Sequence, residues 1–195
     1  MTTDVLTRSV GPDEVADLGQ LFATQGNTSR CWCMAFCVSR GRFAAGWLTA
    51  GNRRRFQAMA RADPAPMGVL AYAPGGEPVG WCACGPRSRY AASPRSTILR
   101  TSDRDELDEA WLLPCLFVHA QHRGQGVTHA LVRAAVELAR RAGAPAIEGW
   151  PLASSAHRAA DGFLGRVQLF EELGFRCVAR PSRDRVLVRL DFATD

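Results

Sequence analysis

Gln121, Gly124 and Gly126 stand where an apolar run gives way to a helical pattern, in QHRGQGVTHALVRAAVELARRAG at residues 121–143. A helix start leaves about four backbone N–H groups without partners, and these carry roughly half a positive charge. The chemistry of such a place is anion binding, and glycine at 124 and 126 lets the backbone turn tightly and a phosphate approach with no Cβ in the way. Taken alone, the spacing also describes an ordinary strand-to-helix turn. His119 and His122 bracket it, where an imidazole could pair with a phosphate or shuttle a proton; an exposed loop ring is the plainer reading for His122, while for His119, at the strand end, both readings stand. The pairs Cys31/Cys33 and Cys82/Cys84 leave one residue between sulfurs, which strains tetrahedral ligation by both, so buried thiols are favoured and no metal is expected.

The elements that must position these residues are legible in outline. DVLTRSV reads as a first strand, and Pro12 and Asp13 open a helix with Val15, Leu18, Leu21 and Phe22 on one side. GNTSRCWCMAFCVSRG breaks the pattern, and a second helical stretch runs from Phe43 to Ala62 until DPAP stops it. MGVLAYA and EPVGWCACG flank a PGGE hairpin turn. The polar segment from Pro86 to Ala110 is a long connection with at most short helices. WLLPCLFVHA is then a strand, THALVRAAVELARRAG a helix closed by Gly143, AIEGWPL a strand, GRVQLFEELGF a short helix, and RCVAR with RVLVRLDF a final strand pair.

Composition narrows the class. The chain of 195 residues, 47% hydrophobic and 22% charged, fits one α/β domain over residues 1–195. It contains no lysine, so a P-loop of the GxxxxGK[ST] type is excluded. Seven cysteines and an acid-bearing N-terminus point to reduced thiols and a cytoplasmic location. No membrane partner is expected, and the run Arg53–Arg55 is too brief to argue for nucleic acid. A GxGxxG dinucleotide motif would need glycine at 129, where His129 stands.

The QxxGxG turn, its flanking strand and helix, and the downstream GRVQLFEELGF segment resemble the GCN5-related N-acetyltransferase (GNAT) superfamily from about residue 67 to 192. CWCMAFC, GEPVGWCACGPRSRY and AIEGWPL are similar to a bacterial branch marked by CWCM. The resemblance implies a mixed, mainly antiparallel sheet flanked by helices, with acetyl-CoA as cosubstrate. It also implies that Val118, Gln121, Arg123, Gly124, Gln125, Gly126, Val127 and Thr128 hold that cosubstrate. Trp32 and Trp150 become the expected acceptor contacts, with core packing as the alternative for Trp32. A small-molecule or peptide amine is the implied acceptor, and a homodimer is kept open.

Acetyl transfer to an amine needs a proton acceptor, an oxyanion donor and relief for the leaving thiolate. Many members of the family carry a glutamate six residues before the valine of this strand, and here that position is Leu112. Other members carry one on the next strand, in register with Glu148. Flanked by Ile147, Gly149 and Trp150, Glu148 is partly desolvated, which favours taking up a proton, and it is the expected base. The other reading of Glu148 is a strand carboxylate paired with arginine. Where the family often places a tyrosine as general acid, Phe170 stands, leaving Tyr90 or an unaided thiolate. The same departure keeps open a noncatalytic acetyl-CoA sensor. Cys115 on the strand is the residue through which an acyl-enzyme would form, but direct transfer is expected.

Overall fold

Apolar runs without alternation, such as GVLAY and WLLPCLF, need cover on both faces. The computed structural model describes residues 5–90, 109–153 and 165–193, and it supplies that cover. Seven strands, β1 (Leu6–Ser9), β2 (Gly68–Tyr72), β3 (Pro78–Pro86), β4 (Trp111–Val118), β5 (Ala146–Gly149), β6 (Arg176–Ser182) and β7 (Arg185–Asp191), form one sheet in the order β1-β2-β3-β4-β5-β7-β6. Every junction is antiparallel except β4–β5. On one face Leu70, Trp81, Leu112, Phe117 and Leu187 share a core with Leu18, Phe22 and Phe56 of the helices α1 (Val15–Ala23) and α4 (Gly51–Ala62). On the other, Val69, Cys82, Leu113, Leu116, Ile147 and Val188 meet Leu131 of α6 (Val127–Arg141) and Phe170 of α7 (Val167–Glu172).

A bulge in β4 decides where the sheet opens. Gly85 lies opposite Leu112 and Ala83 opposite Cys115, so two steps on β3 face three on β4. Side-chain parity flips accordingly: Leu112, Cys115 and Phe117 point into the first core, Leu113 and Leu116 into the second. Pro114 occupies the extra position, because it has no N–H to give an interior ladder. The parallel pairing with β5 ends at the same level, with Leu113 opposite Gly149. Beyond it β4 runs on to Val118 while the chain leaves β5 through Trp150 and Pro151, and a gap opens between them.

The helix expected from Phe43 to Ala62 is two helices, α3 (Arg40–Leu48) and α4, joined through Ala50 at φ 54°. A methyl on Gly46 would stand 2.0 Å from Asn52 Oδ1, so only glycine permits this close fold-back. Asn52 is fully buried and donates to the carbonyls of Arg30 and Phe43, at 2.9 and 3.3 Å. Apolar periodicity continues across the joint, which hides the break from a reading of the sequence. The stretch before it holds α2 (Gly26–Cys31) and a 3-10 turn at Met34–Phe36, with Trp32 and Cys33 both left-handed at φ 48° and 54°. The long connection begins as α5 (Arg87–Tyr90); its acidic residues 103–108, like His157, lie outside the described residues.

Candidate active site

The turn after β4 is built as an open cradle. Ala120–His122 makes a 3-10 turn, Gly124 and Gly126 adopt φ of +73° and +82°, and α6 begins at Val127. Among the described residues no backbone N–H from Gly124 to His129 donates to a main-chain carbonyl, and the first to do so is Ala130, to Gly126 at 3.1 Å. No side chain caps the helix either. Six consecutive amides are thus left to a ligand at the positive end of a 15-residue helix. A Cβ built on Gly124 meets nothing within 4 Å, so the space over the turn is free. The cradle is braced from within: Gln125 Nε2 donates to the Gln121 carbonyl at 2.9 Å and Arg123 Nε to the Val118 carbonyl at 3.3 Å. The Nδ1 of His119 is buried beside it with no hydrogen-bond partner among the described residues.

The gap between β4 and β5 continues this surface. The His119 N–H donates to the Val79 carbonyl at 2.9 Å, so strand alternation turns the amides of Leu116 and Val118 to the opposite edge, toward the gap. Gly149 and Gly165 line the far side: a Cβ on Gly149 would stand 2.9 Å from the Phe170 ring, and one on Gly165 3.0 Å from that ring and 3.2 Å from Leu116 Cδ1. Gly80 on β3 sets the approach of α6, since a Cβ there would meet Val127 Cγ1 at 2.7 Å. Small residues therefore fix both the depth of the gap and the seat of the helix.

Glu148 sits on β5 in register with Leu112, with Arg189 of β7 opposite it on the other side. Its carboxylate is fully buried, and both oxygens are committed: Oε1 accepts from Arg189 at 2.9 and 2.8 Å, and Oε2 accepts from Arg87 of α5. The apolar setting expected from its sequence neighbours is corrected here, because strands distant in sequence bring two guanidinium groups to it. Of the two readings of Glu148, the arginine-paired one describes this geometry.

Residues 32–175 match the sequence profile of the Acetyltransferase (GNAT) family, with the cradle and the strand edge inside the matched span. The chain belongs to the GNAT family. No curated protein matches its sequence. Solved structures share the GNAT fold at low identity. A mosquito arylalkylamine N-acetyltransferase like 5b superposes with a TM-score of 0.61 at 15% identity, over 97% of this chain and 100% of that one. The yncA protein of Salmonella typhimurium, solved with its cofactor acetyl-CoA, gives 0.56 at 16%, over 96% and 93%. The paiA N-acetyltransferase of Thermoplasma acidophilum, in complex with coenzyme A, gives 0.54 at 8%, over 97% and 99%.

Other expected GNAT site residues are placed differently from the sequence reading. Trp32 is buried between Phe22 and Phe56, with ring centroids 5.2 and 5.5 Å away, and its Nε1 donates to the Ser29 carbonyl. Trp150 is buried in the same core, and its carbonyl accepts from Arg185. Both rings are packed in the core, which for Trp32 is the alternative reading of the sequence. Tyr90 is buried as well, and loss of solvent pushes its phenol far up. Phe170 is fully buried over Gly149, where it offers no proton. Sequence reasoning missed Arg87 and Arg189, which carry no local motif; only strand register brings them to Glu148.

Proposed function

We propose that this chain transfers an acetyl group from acetyl-CoA directly to a primary amine of a small molecule or a peptide N-terminus. The observation that carries the reading is the run of six unpartnered amides from Gly124 to His129, continuous with the free edge of β4. Gln121 to Thr128 hold the diphosphate of the cosubstrate, and Val118 offers an N–H to the oxyanion, a contact worth about 3 kcal/mol in the transition state. The branch marked by CWCM is where we group the chain, on the strength of its CWCMAFC, GEPVGWCACGPRSRY and AIEGWPL motifs. No helix among the described residues is long and apolar enough to cross a membrane.

Glu148 serves in this scheme as a positioning residue: it fixes Arg87 and Arg189 beneath the gap while its own oxygens stay occupied. The acceptor then enters through its neutral fraction, roughly a thousandth of an alkylamine at neutral pH. With Phe170 in place of a proton donor, the coenzyme thiolate leaves unaided, which an ordinary thiol pKa of about 8.5 permits. The test is coenzyme release measured over small amines, aminoglycosides and peptide N-termini. Turnover with one class supports transfer. Tight acetyl-CoA binding without turnover on any would instead make the chain a sensor of that molecule, the outcome that the absent proton donor at Phe170 favours.

A further inference from the structure

The net charge of +5 is unevenly placed. Residues 18–62 hold seven arginines and no acidic residue, whereas the rest of the chain carries 17 basic against 19 acidic residues and is net negative. The run Arg53–Arg55 is brief in sequence, but the fold adds to it. Asn52 of α4 donates to the carbonyls of Arg30 and Phe43, which brings the end of α2 and the first turn of α3 to one point. Arg55 Nη1 donates to the Arg42 carbonyl at 3.0 Å and to Asn52 Oδ1 at 3.3 Å. Six of the seven arginines are exposed and Arg55 is half-buried. None of them pairs with a carboxylate among the described residues. Charge of one sign gathered in this way repels itself and attracts an anionic partner.

An apolar tip stands among these charges. The chain turns back from α3 into α4 through Thr49 and Ala50, and Leu48 at that turn is 80% exposed. Trp47 beside it is half-buried, its ring 5.6 Å from that of Phe43. Arg54 Nη2 donates to the Thr49 carbonyl at 3.2 Å, which holds a guanidinium at the base of the tip. The fold-back is made by the close approach of Gly46 to Asn52 and by left-handed Ala50, so it asks for no apolar side chain at 48. A single exposed leucine is ordinary on a protein surface. One that projects from a cationic hairpin has the pattern of an interfacial anchor, in which the apolar part enters the boundary between headgroups and acyl chains while the cations stay with the phosphates. A nucleic acid would satisfy the arginines but offers Leu48 no apolar layer, and a second copy of this surface would bring like charges together.

We propose that the α3–α4 hairpin docks reversibly on anionic phospholipid, with Leu48 inserted at the headgroup boundary and the arginines of α2, α3 and α4 on the lipid phosphates. The sequence shows no apolar span, which is why no membrane partner is expected from it, and surface contact needs none. Each arginine held near an anionic leaflet raises affinity by about fivefold, so a cluster binds where a single residue would not. Salt screens that attraction, so the contact is reversible. The helices concerned cover the face of the sheet that carries Leu70, Trp81 and Phe117, whereas α6 lies on the opposite face against Val69 and Cys82. A surface bound at the hairpin therefore leaves α6 directed away from it. The proposal goes beyond the transfer reading and does not depend on it.

The full-length chain is floated with vesicles of phosphatidylcholine containing about 30% phosphatidylglycerol, and with vesicles of phosphatidylcholine alone. It should bind the anionic vesicles at about 50 mM salt, lose about tenfold in affinity or more by about 300 mM, and leave the neutral vesicles unoccupied. Leu48→Ser should weaken binding about tenfold without moving the thermal midpoint. The side chains of Arg30, Arg42 and Arg61 make no hydrogen bond or ion pair among the described residues, so changing all three to Gln removes charge alone. That variant should bind about a hundredfold more weakly. Equal binding to both vesicles, or to neither, overturns the proposal in the wild-type chain. Anionic binding that Leu48→Ser leaves unchanged overturns the inserted tip. A labelled RNA or duplex DNA that displaces the chain from the vesicles and binds it more tightly assigns the arginines to nucleic acid, and a dimer that Leu48→Ser breaks assigns the tip to a second copy; either result overturns the lipid surface. No readout here uses amine turnover, so failure of the transfer reading and failure of this proposal are seen separately.

Discussion

Arg189 on β7 and Glu148 on β5 lie directly opposite one another, and the guanidinium places Nε and Nη2 at 2.9 and 2.8 Å from the same carboxylate oxygen. Arg87 takes the other oxygen, so one buried carboxylate joins α5, β5 and β7. Replacing Glu148 with Gln leaves two guanidinium groups facing each other at the floor of the gap. The expected loss is about 3 kcal/mol of stability, read as a drop in the denaturant midpoint. The rise of kcat/KM with pH should follow the acceptor amine in both proteins. A variant of unchanged stability whose rate falls by a hundredfold or more, with the pH dependence flattened, would restore Glu148 as the base.

A second buried cluster makes a pH prediction. Arg89 is almost wholly buried and donates to Asp63 at 2.9 Å as well as to the carbonyls of Ala65, Pro66 and Cys84. Burial pushes the Asp63 carboxyl up, but the hydrogen bonds from Arg89 and the Ala65 amide outweigh it and hold the group below its ordinary value. A carboxyl depressed in the folded state contributes stability above its unfolded value of about 3.9, and that contribution disappears as pH falls through the lower folded value. Acid unfolding should therefore steepen below about pH 4, and Asp63→Asn should flatten that limb while lowering stability at neutral pH. Parallel acid limbs in the two proteins would sink this assignment.

The cradle predicts a separable effect. Gly124 has φ of +73° and open space where a Cβ would stand. Alanine there costs about 1 kcal/mol in backbone conformation and places a methyl where the phosphate must approach. Gly124→Ala should weaken acetyl-CoA binding by about tenfold in calorimetry while moving the thermal midpoint by only a few degrees. Equal affinity in the variant would mean that the diphosphate rests elsewhere.

The elements and the cradle were legible in the sequence because both are written locally. QHRGQGV sets its own turn, VTHALVRAAVELARRAG shows helical apolar spacing, and Gly143 and Gly174 end their helices at φ of +74° and +86° as expected. The α3–α4 break was not legible, because the apolar spacing runs through Ala50 and only the contact of Gly46 with Asn52 reveals the fold-back. The surroundings of Glu148 were illegible for a different reason: Ile147 and Trp150 are its neighbours in sequence, but register puts Arg189 beside it and α5 delivers Arg87. Trp32 was drawn to the acceptor side by its motif, whereas the left-handed CWC turn drives the ring into the core and leaves the sulfur of Cys33 to accept from Trp81 Nε1.

Gly80 offers a test of how far the seat of α6 governs the cradle. It lies on β3 beneath the first turn of α6, opposite Val118 in the ladder, and a Cβ would press on Val127 at 2.7 Å and Leu131 at 3.0 Å. Both neighbours are branched and fully packed, so the added methyl must lift the helix or force their rotamers, at a cost of about 1–3 kcal/mol. Lifting α6 moves its amides away from β4, the strand proposed to lie along the cosubstrate. Gly80→Ala should accordingly lose both stability and acetyl-CoA affinity, whereas Gly124→Ala loses affinity with little change in stability. Measured together by denaturant titration and calorimetry, the two variants distinguish a misplaced cradle from a blocked one. If Gly80→Ala binds acetyl-CoA as the parent does despite its lowered stability, then the position of α6 against β3 is not what aligns the site.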